Sequence, residues 1–147
     1  MTALRAFSVV LLVTVLGAGC SDDPYAAYCE AVSENQDELT RILGEGGPDA
    51  LLRALPVFHE LEDAAPSDIR DDWKIVVTGL TALETALEDA GVDPSTYDRE
   101  NPPEDLSDAE RDRIDAAAEE LRTADSEAAF AAVEQQARDV CKTPLRL

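Results

Sequence analysis

The sequence SDIRDDWKIVVTGLTALETALEDAG, residues 67–91, has the spacing of one long amphipathic helix. Ser67 is a favourable N-cap and Gly91 a favourable stop. Gly79, in the interior, costs about 1 kcal/mol relative to alanine and would permit a close helix crossing. The stretch predicts the central helix of the fold, because its apolar side chains recur every three or four residues: Ile69, Trp73, Val76, Val77, Leu80, Leu83 and Leu87.

Two further helices are predicted before this stretch. Asp23 followed by Pro24 is a good helix start, and apolar residues then recur on one face, which predicts a first helix over about 24–43. After the turn GEGGPDA, Pro48 opens a second helix. Pro56 lies inside this second element and has no amide hydrogen, so we expect the helix to kink or break there before it continues through VFHELEDAA.

A long polar connection and two more helices are predicted after the central helix. The segment VDPSTYDRENPPEDL, residues 92–106, is too polar and too rich in proline for regular structure. Ser107 and Glu110 match a capping box, which predicts the start of a fourth helix. A last helix is expected to begin near Asp125 or Ser126 and to end before Pro144. The expected fold class is all-α, a bundle of four to five helices with up-down topology.

The first nineteen residues have the features of an export signal. Arg5 provides a positive charge, and the apolar run AFSVVLLVTVL follows it. This run is shorter than the roughly 20 residues that a helix needs to cross a bilayer, which disfavours the alternative of a permanent membrane helix. We therefore predict a signal peptide over residues 1–19, cleaved before Cys20.

The motif LGAGC, residues 16–20, resembles the lipobox of bacterial lipoproteins. This resemblance implies that Cys20 receives diacylglycerol, becomes the mature N-terminus and anchors the chain through a tether over residues 20–23. Leu16 stands one place earlier than the usual lipobox leucine, and Gly17 occupies that position. Because Gly17 and Gly19 also suit an ordinary signal peptidase, a freely secreted protein with an unmodified Cys20 is the alternative.

The two other cysteines form an even pair in an oxidising compartment, so we predict a Cys29–Cys141 disulfide. Two buried free thiols are the alternative. The bond would join the start of the first helix to the end of the last, whereas five strictly alternating helices would leave these ends at opposite sides of the bundle. We therefore expect the segment over about 92–106 to cross the bundle, within a single domain over residues 24–147.

The charge of the chain excludes one class of partner. Twelve basic residues stand against 32 acidic ones, and loss of the signal, with Arg5, changes the net charge from −20 to −21. Nucleic-acid binding needs clusters of lysine and arginine that this chain lacks. An acidic surface also has no electrostatic attraction to an anionic bilayer, so membrane contact is expected through the lipid.

No stretch of the sequence carries a catalytic signature. His59 is the only histidine, which excludes a two-histidine metal site, and no serine has an evident catalytic partner. We predict no catalytic residue, no metal ligand and no cofactor, and we interpret His59 as a surface or kink-filling residue. The segment 93–108 holds many oxygen donors without the pattern of an EF-hand loop, so calcium binding there stays an alternative.

As a whole the chain resembles the small, exported, alanine-rich lipoproteins of actinomycetes. The stretches that carry the resemblance are GAGC at 17–20, YCEAV at 28–32, DIRDDW at 68–73 and ARDVCKTP at 137–144. The resemblance implies a location in the cell envelope, and it supplies no catalytic residue and no substrate.

Two classes of function follow. The favoured one is a non-enzymatic module at the outer face of the cytoplasmic membrane that binds a basic protein or an envelope component. We expect its contacts at residues 92–106 and around Pro56, because recognition often resides in irregular exposed segments. The alternative is a carrier of a small ligand or a cation, or a minor hydrolase that uses carboxylates in a cleft. A filled core with one exposed apolar patch would favour the first class, and carboxylates around an apolar pocket the second.

Overall fold

The computed structural model describes residues 23–147, and these fold into five α-helices without a β-strand. The predicted all-α class is confirmed. The predictions of a signal peptide and of a lipidated Cys20 lie outside the described residues. The helices are α1 (Ala26–Glu45), α2 (Ala50–Ala64), α3 (Arg70–Asp89), α4 (Asp108–Glu120) and α5 (Ala124–Asp139).

The first three helices form two consecutive antiparallel pairs. Short turns join them, and α2 packs against both α1 and α3. Pro48 and Leu52, at the start of α2, line the same cavity as Leu87 near the end of α3. The chain therefore runs up along α1, down along α2 and up along α3.

Helices α4 and α5 run one after the other in the same direction along α3, antiparallel to it. We call each helix, or consecutive pair of helices, that runs the length of the bundle a leg, so that α4 and α5 together form one descending leg. Glu110, in the first turn of α4, lies beside Gly91, just beyond the end of α3. Leu121, at the end of α4, packs against Gly79 in the middle of α3. Near the end of α5, Gln136 Nε2 donates to Asp68 Oδ2 at 3.1 Å, just before α3 begins. Helix α4 thus covers the second half of α3, and α5 covers the first half.

This arrangement corrects the expected path of the long connection. The segment between α3 and α4 is long and irregular as predicted, but Gly91 and Leu106 line one cavity, so both of its ends lie at the same end of the bundle. No crossing is needed, because α4 and α5 descend one after the other and do not form an antiparallel pair. The bundle has five helices in four legs, which run up, down, up and down.

The predicted Cys29–Cys141 disulfide is confirmed, with Cα atoms 4.9 Å apart. It joins the first turn of α1 to the residue two places beyond α5. Lys142 then adopts a positive φ of 59°, which turns the chain back. In the short tail that follows, the Leu147 amide donates to Glu134 Oε1 at 2.7 Å, and Leu145 is buried. The tail therefore lies back along α5.

The tail also contacts α1. Gln36 Nε2 donates to the carbonyl oxygen of Pro144 at 3.2 Å. Few backbone contacts join α1 to α5 directly, since α1 packs mainly on α2 and α5 mainly on α3. The disulfide and the tail therefore add direct connections between the first leg of the bundle and the last, beyond the core that the two legs share.

Trp73 holds the centre of the core. Its side chain is fully buried, its ring centroid lies 5.8 Å from that of Phe58 in α2, and its Nε1 donates to Tyr28 Oη in α1 at 2.9 Å. Burial raises the pKa of the Tyr28 hydroxyl, which keeps it protonated. This hydrogen bond lets an indole and a phenol be buried together without an unsatisfied indole N–H.

Replacing Tyr28 by phenylalanine should lower the free energy of unfolding by about 1–3 kcal/mol, because the indole N–H of Trp73 loses its acceptor in the core. Urea denaturation followed by Trp73 fluorescence measures the change. Tyr25→Phe is the matched control, since the Tyr25 hydroxyl is exposed and bonds to Asp68. We expect this control to change stability by less than about 0.5 kcal/mol. Equal effects of the two variants would contradict the importance of the buried hydrogen bond.

Among the starts of α3, α4 and α5, the predicted start of α4 is confirmed, and the other two differ from the prediction. The Ser107–Glu110 capping box is confirmed, with both of its reciprocal hydrogen bonds present. The prediction that Ser67 caps the central helix is wrong, because the Pro66 carbonyl accepts from the amides of Ile69 and Arg70, and the helix begins at Arg70. The last helix begins at Ala124, slightly earlier than predicted, and the Thr123 side chain caps it.

Pro56 does not break α2, which is continuous from Ala50 to Ala64. Of the kink or break expected at Pro56, the break is excluded. A proline inside a helix costs about 3 kcal/mol, but the residues on either side of Pro56 are core residues. Leu55, Phe58 and Leu61 are buried, and this burial outweighs the lost hydrogen bond.

Candidate binding surface

An open groove lies between α3 and the short connection that joins α4 to α5. Its volume is about 400 Å³. Helix α3 forms one wall and the floor, and Glu120 and Ser126 stand on the opposite side. The α3 residues that line it are Asp71, Lys74, Ile75, Thr78, Gly79 and Ala82.

Gly79 allows the two sides of the groove to approach closely. A Cβ atom at this position would lie 2.7 Å from Leu121 Cδ2, closer than van der Waals contact allows. The absence of a side chain at Gly79 therefore lets the end of α4 rest on the middle of α3. The close crossing expected from the sequence is confirmed.

The connection between α4 and α5 is held by its own hydrogen bonds. The carbonyl oxygen of Glu120 accepts from Thr123 Oγ1 at 2.9 Å and from Ser126 Oγ at 2.8 Å. Ser126 is the only buried polar residue among those that the structure describes. These bonds fix the side of the groove opposite α3, so the groove is formed before any partner arrives.

Ile75 gives the groove an exposed apolar wall. Within residues 23–147, Ile75 at 39% exposure and Val140 at 37% are the two large hydrophobic residues that remain exposed. Ile75 lies off the buried stripe of α3, beside the fully buried Val76. The apolar surface at Ile75 is therefore not used in packing the core, and it is available for contact.

Two carboxylates line the groove, and two more are sequence neighbours of a lining residue. Asp71 and Glu120 line it, and Asp125 and Glu127 flank Ser126 in the first turn of α5. None of these four forms an ion pair with another described residue. Lys74 is the one cation that lines the groove, and it has no ion pair within residues 23–147 either. The groove is therefore apolar inside and acidic at its edges.

The long connection over residues 92–107 is held against α4 by one arginine. Arg99 Nε lies 2.7 Å from Asp115 Oδ1, and its Nη1 lies 3.1 Å from Glu119 Oε1. The hydrogen bond that Arg99 donates to Glu119 and the negative charge of Asp115 raise the pKa of Arg99. The segment predicted as a contact region is therefore tied down by ion pairs.

The carboxylates of this connection serve its own turns. Hydrogen bonds from the Ser95 side chain and amide lower the pKa of Asp93, and bonds from Asn101 and Glu100 lower that of Asp98. Within residues 23–147, no group of three or more histidine, cysteine or acidic side chains is placed to hold a metal ion. The structure thus lends no support to the calcium alternative.

Besides the cavity lined by Gly91 and Leu106, a cavity of about 240 Å³ lies beneath the connection, and it is more enclosed than the groove. Tyr97 Oη is buried without a hydrogen-bond partner in the described part of the chain, and burial raises the pKa of Tyr97. Its apolar lining comes from three legs of the bundle and includes Leu52, Leu83, Leu87 and Ile114.

The predicted site residues are distributed as follows. The structure brings Cys29 and Cys141 together, while Cys20 lies outside the described residues. The side chain of His59 is half exposed, with Nδ1 3.8 Å from Glu62 Oε2, as expected of a surface residue. Residues 23–147 contain no helix that is long and apolar enough to cross a membrane.

Sequence reasoning did not identify the groove. One signal was present, because Ile75 is a large apolar residue that does not fit the buried stripe of its helix. The opposite wall had no such signal, since Glu120 and Ser126 reach the groove only because α4 and α5 run consecutively along α3.

Comparison with known proteins places the chain in no family. No protein-family model, no curated protein and no solved structure matches it.

Proposed function

We propose that this chain is an exported lipoprotein, anchored through Cys20 at the outer face of the cytoplasmic membrane, that binds a protein or an envelope component and catalyses no reaction. The observation that carries the proposal is the open groove beside Ile75, which is formed without any partner and leaves this apolar side chain exposed. A preformed groove with an apolar interior can receive a side chain of a partner.

The disulfide supports export. Structural disulfides persist in oxidising compartments and are rare in the reducing cytoplasm. Since Cys29 pairs with Cys141, Cys20 is the remaining cysteine, and it stands at the end of an apolar segment that resembles a lipoprotein signal. Both observations support a location outside the cytoplasm.

The anchor would orient the bundle. A tether over residues 20–23 spans no more than about 14 Å, so the end of the bundle that contains the disulfide would lie close to the bilayer. The connection over residues 92–107 lies at the other end, about 30 Å away along α3. The groove, at the middle of α3, would face sideways between these two levels, within reach of other envelope proteins.

A small-ligand carrier is the second candidate, because the cavity at Tyr97 has an apolar lining and a buried hydroxyl. Its volume of about 240 Å³ is smaller than the roughly 300–1,000 Å³ of most ligand pockets. The groove also has carboxylates beside an apolar interior, the feature that would favour this second class, but it is open to solvent and would cover only one side of a small ligand. We therefore favour binding of a macromolecule.

Photo-crosslinking in living cells tests the proposed function. A photoreactive amino acid at position 75, in the groove, or at position 100, in the long connection, should capture a protein or an envelope polymer. Position 38, on the exposed face of α1, is the control and should capture nothing specific. If neither position 75 nor position 100 gives a product above this control, the proposed binding function is refuted.

A further inference from the structure

We infer that the groove receives an apolar side chain from a protein segment that carries lysine or arginine next to it. This inference rests on the proposed function and names its partner by chemistry. It follows from three properties of the groove, namely its openness, its charge and its rigidity.

The openness of the groove favours a protein segment over a small ligand. Lys74, Ile75, Thr78 and Glu120, which line it, are all exposed. Sites for small molecules usually bury about 70–90% of the ligand surface. An open groove covers only one side of its occupant, so the occupant needs further contacts outside the groove. A side chain that belongs to a larger partner has such contacts.

The charge around the groove favours a basic segment. The two carboxylates that line it, on Asp71 and Glu120, have no cationic partner among the described residues, and Lys74 offsets only one of them. Asp125 and Glu127, on either side of the lining residue Ser126 in the first turn of α5, add further negative charge without an ion pair. A lysine or arginine beside the apolar side chain would supply the missing counter-charge and speed the encounter.

The same charge disfavours a second copy of the chain as the occupant. Each copy would bring the same carboxylates to the contact, on molecules with a net charge of −20 before processing. Like charges placed opposite one another oppose association. Charge complementarity therefore favours a basic partner over self-association.

The rigidity of the groove lowers the entropic cost of binding. Gly79 and Leu121 fix the distance between its sides, and the hydrogen bonds of Thr123 and Ser126 to Glu120 fix the opposite wall. Because few of its groups need to be ordered when a partner arrives, a short segment can bind measurably.

A peptide-binding experiment on the full lipidated chain in detergent micelles tests the inference. The probe is a fluorescein-labelled 14-residue helical peptide of leucine and lysine, and the same design with glutamate in place of lysine is the comparison. Fluorescence polarisation should show binding of the lysine peptide alone. Ile75→Ser should weaken this binding about tenfold, as expected for a central apolar contact.

Two matched controls distinguish the groove from general attraction to an acidic protein. Val140→Ser removes an equally exposed apolar side chain elsewhere, and it should leave the affinity unchanged. Asp71→Asn combined with Glu120→Gln should weaken binding, whereas Asp37→Asn combined with Glu34→Gln, on the exposed face of α1 and with the same change in net charge, should have a much smaller effect. Thermal melting of each variant checks that it is folded. Equal affinities of the wild type and Ile75→Ser, or equal effects of the two double variants, would overturn the inference.

Crosslinking in cells separates this inference from the proposed function. The peptide captured from position 75 should contain an apolar residue within two positions of a lysine or arginine. Capture of a second copy of this chain, of an acidic segment or of lipid would overturn the inference. Capture from position 100 but not from position 75 would overturn the inference and leave the proposed function standing, while capture from neither would refute both.

Discussion

Reducing the Cys29–Cys141 disulfide should lower the free energy of unfolding by about 4 kcal/mol. The two cysteines are 112 residues apart, and a bond that closes so long a loop removes much of the conformational entropy of the unfolded chain. The bond and the tail beyond it also connect the first and last legs directly. Urea denaturation with and without a phosphine reductant, followed by Trp73 fluorescence, measures the difference.

The variant with both Cys29→Ala and Cys141→Ala is the control for this prediction. It should have the stability of the reduced wild type and should no longer respond to reductant. In the wild-type protein, intact mass after alkylation should show two more modified thiols when the protein is reduced first than when it is not. A loss of less than about 1 kcal/mol, or thiols at 29 and 141 that react freely in the exported protein, would contradict the prediction.

Replacing Cys20 by alanine should release the protein from the membrane. A lipoprotein holds the membrane through its acyl chains, and two chains are needed for stable anchoring because one gives only marginal binding. The described residues contain no helix that could replace this anchor. Fractionation should move the variant from the membrane pellet to the medium, and mass spectrometry should show the loss of the lipid.

Ser21→Ala is the control for this experiment, since it changes the neighbouring residue and leaves the acceptor thiol intact. It should remain in the membrane fraction. A wild-type protein that is already soluble, with an unmodified Cys20 by mass, would contradict the lipid anchor and support the alternative of simple secretion.

The helices could be predicted from the sequence because their signals are local. The Ser107–Glu110 capping box involves residues three apart, and the stripe through Trp73 and Val77 reflects the helical period alone. The Ser67 cap was predicted incorrectly because the Pro66 carbonyl satisfies the same orphan amides, so that two local solutions competed. Pro56 was misjudged for a different reason, since the burial of Phe58 and Leu61 depends on contacts with other helices.

The topology of the second half could not be predicted, because it depends on contacts between distant residues. The short connection before Thr123 is compatible with a hairpin or with two consecutive helices along one neighbour. Both α4 and α5 pack along α3, with Leu121 on Gly79 where they meet, and these contacts select the second arrangement. The groove could not be predicted either, because it exists only as a consequence of that alignment, although Ile75 already stood out from its stripe.

The disulfide also determines how the domain bears tension. A pull on the N-terminus reaches α1 at Cys29, within the first turn, and there the covalent bond passes part of the load to Cys141 at the end of α5. Helix α1 therefore cannot be peeled from the bundle one turn at a time from its first residue. Suppose that a force pulls on the N-terminus while a partner holds α3. The force must then shear whole legs past one another, and a bundle resists shear much more strongly than the unzipping of one helix.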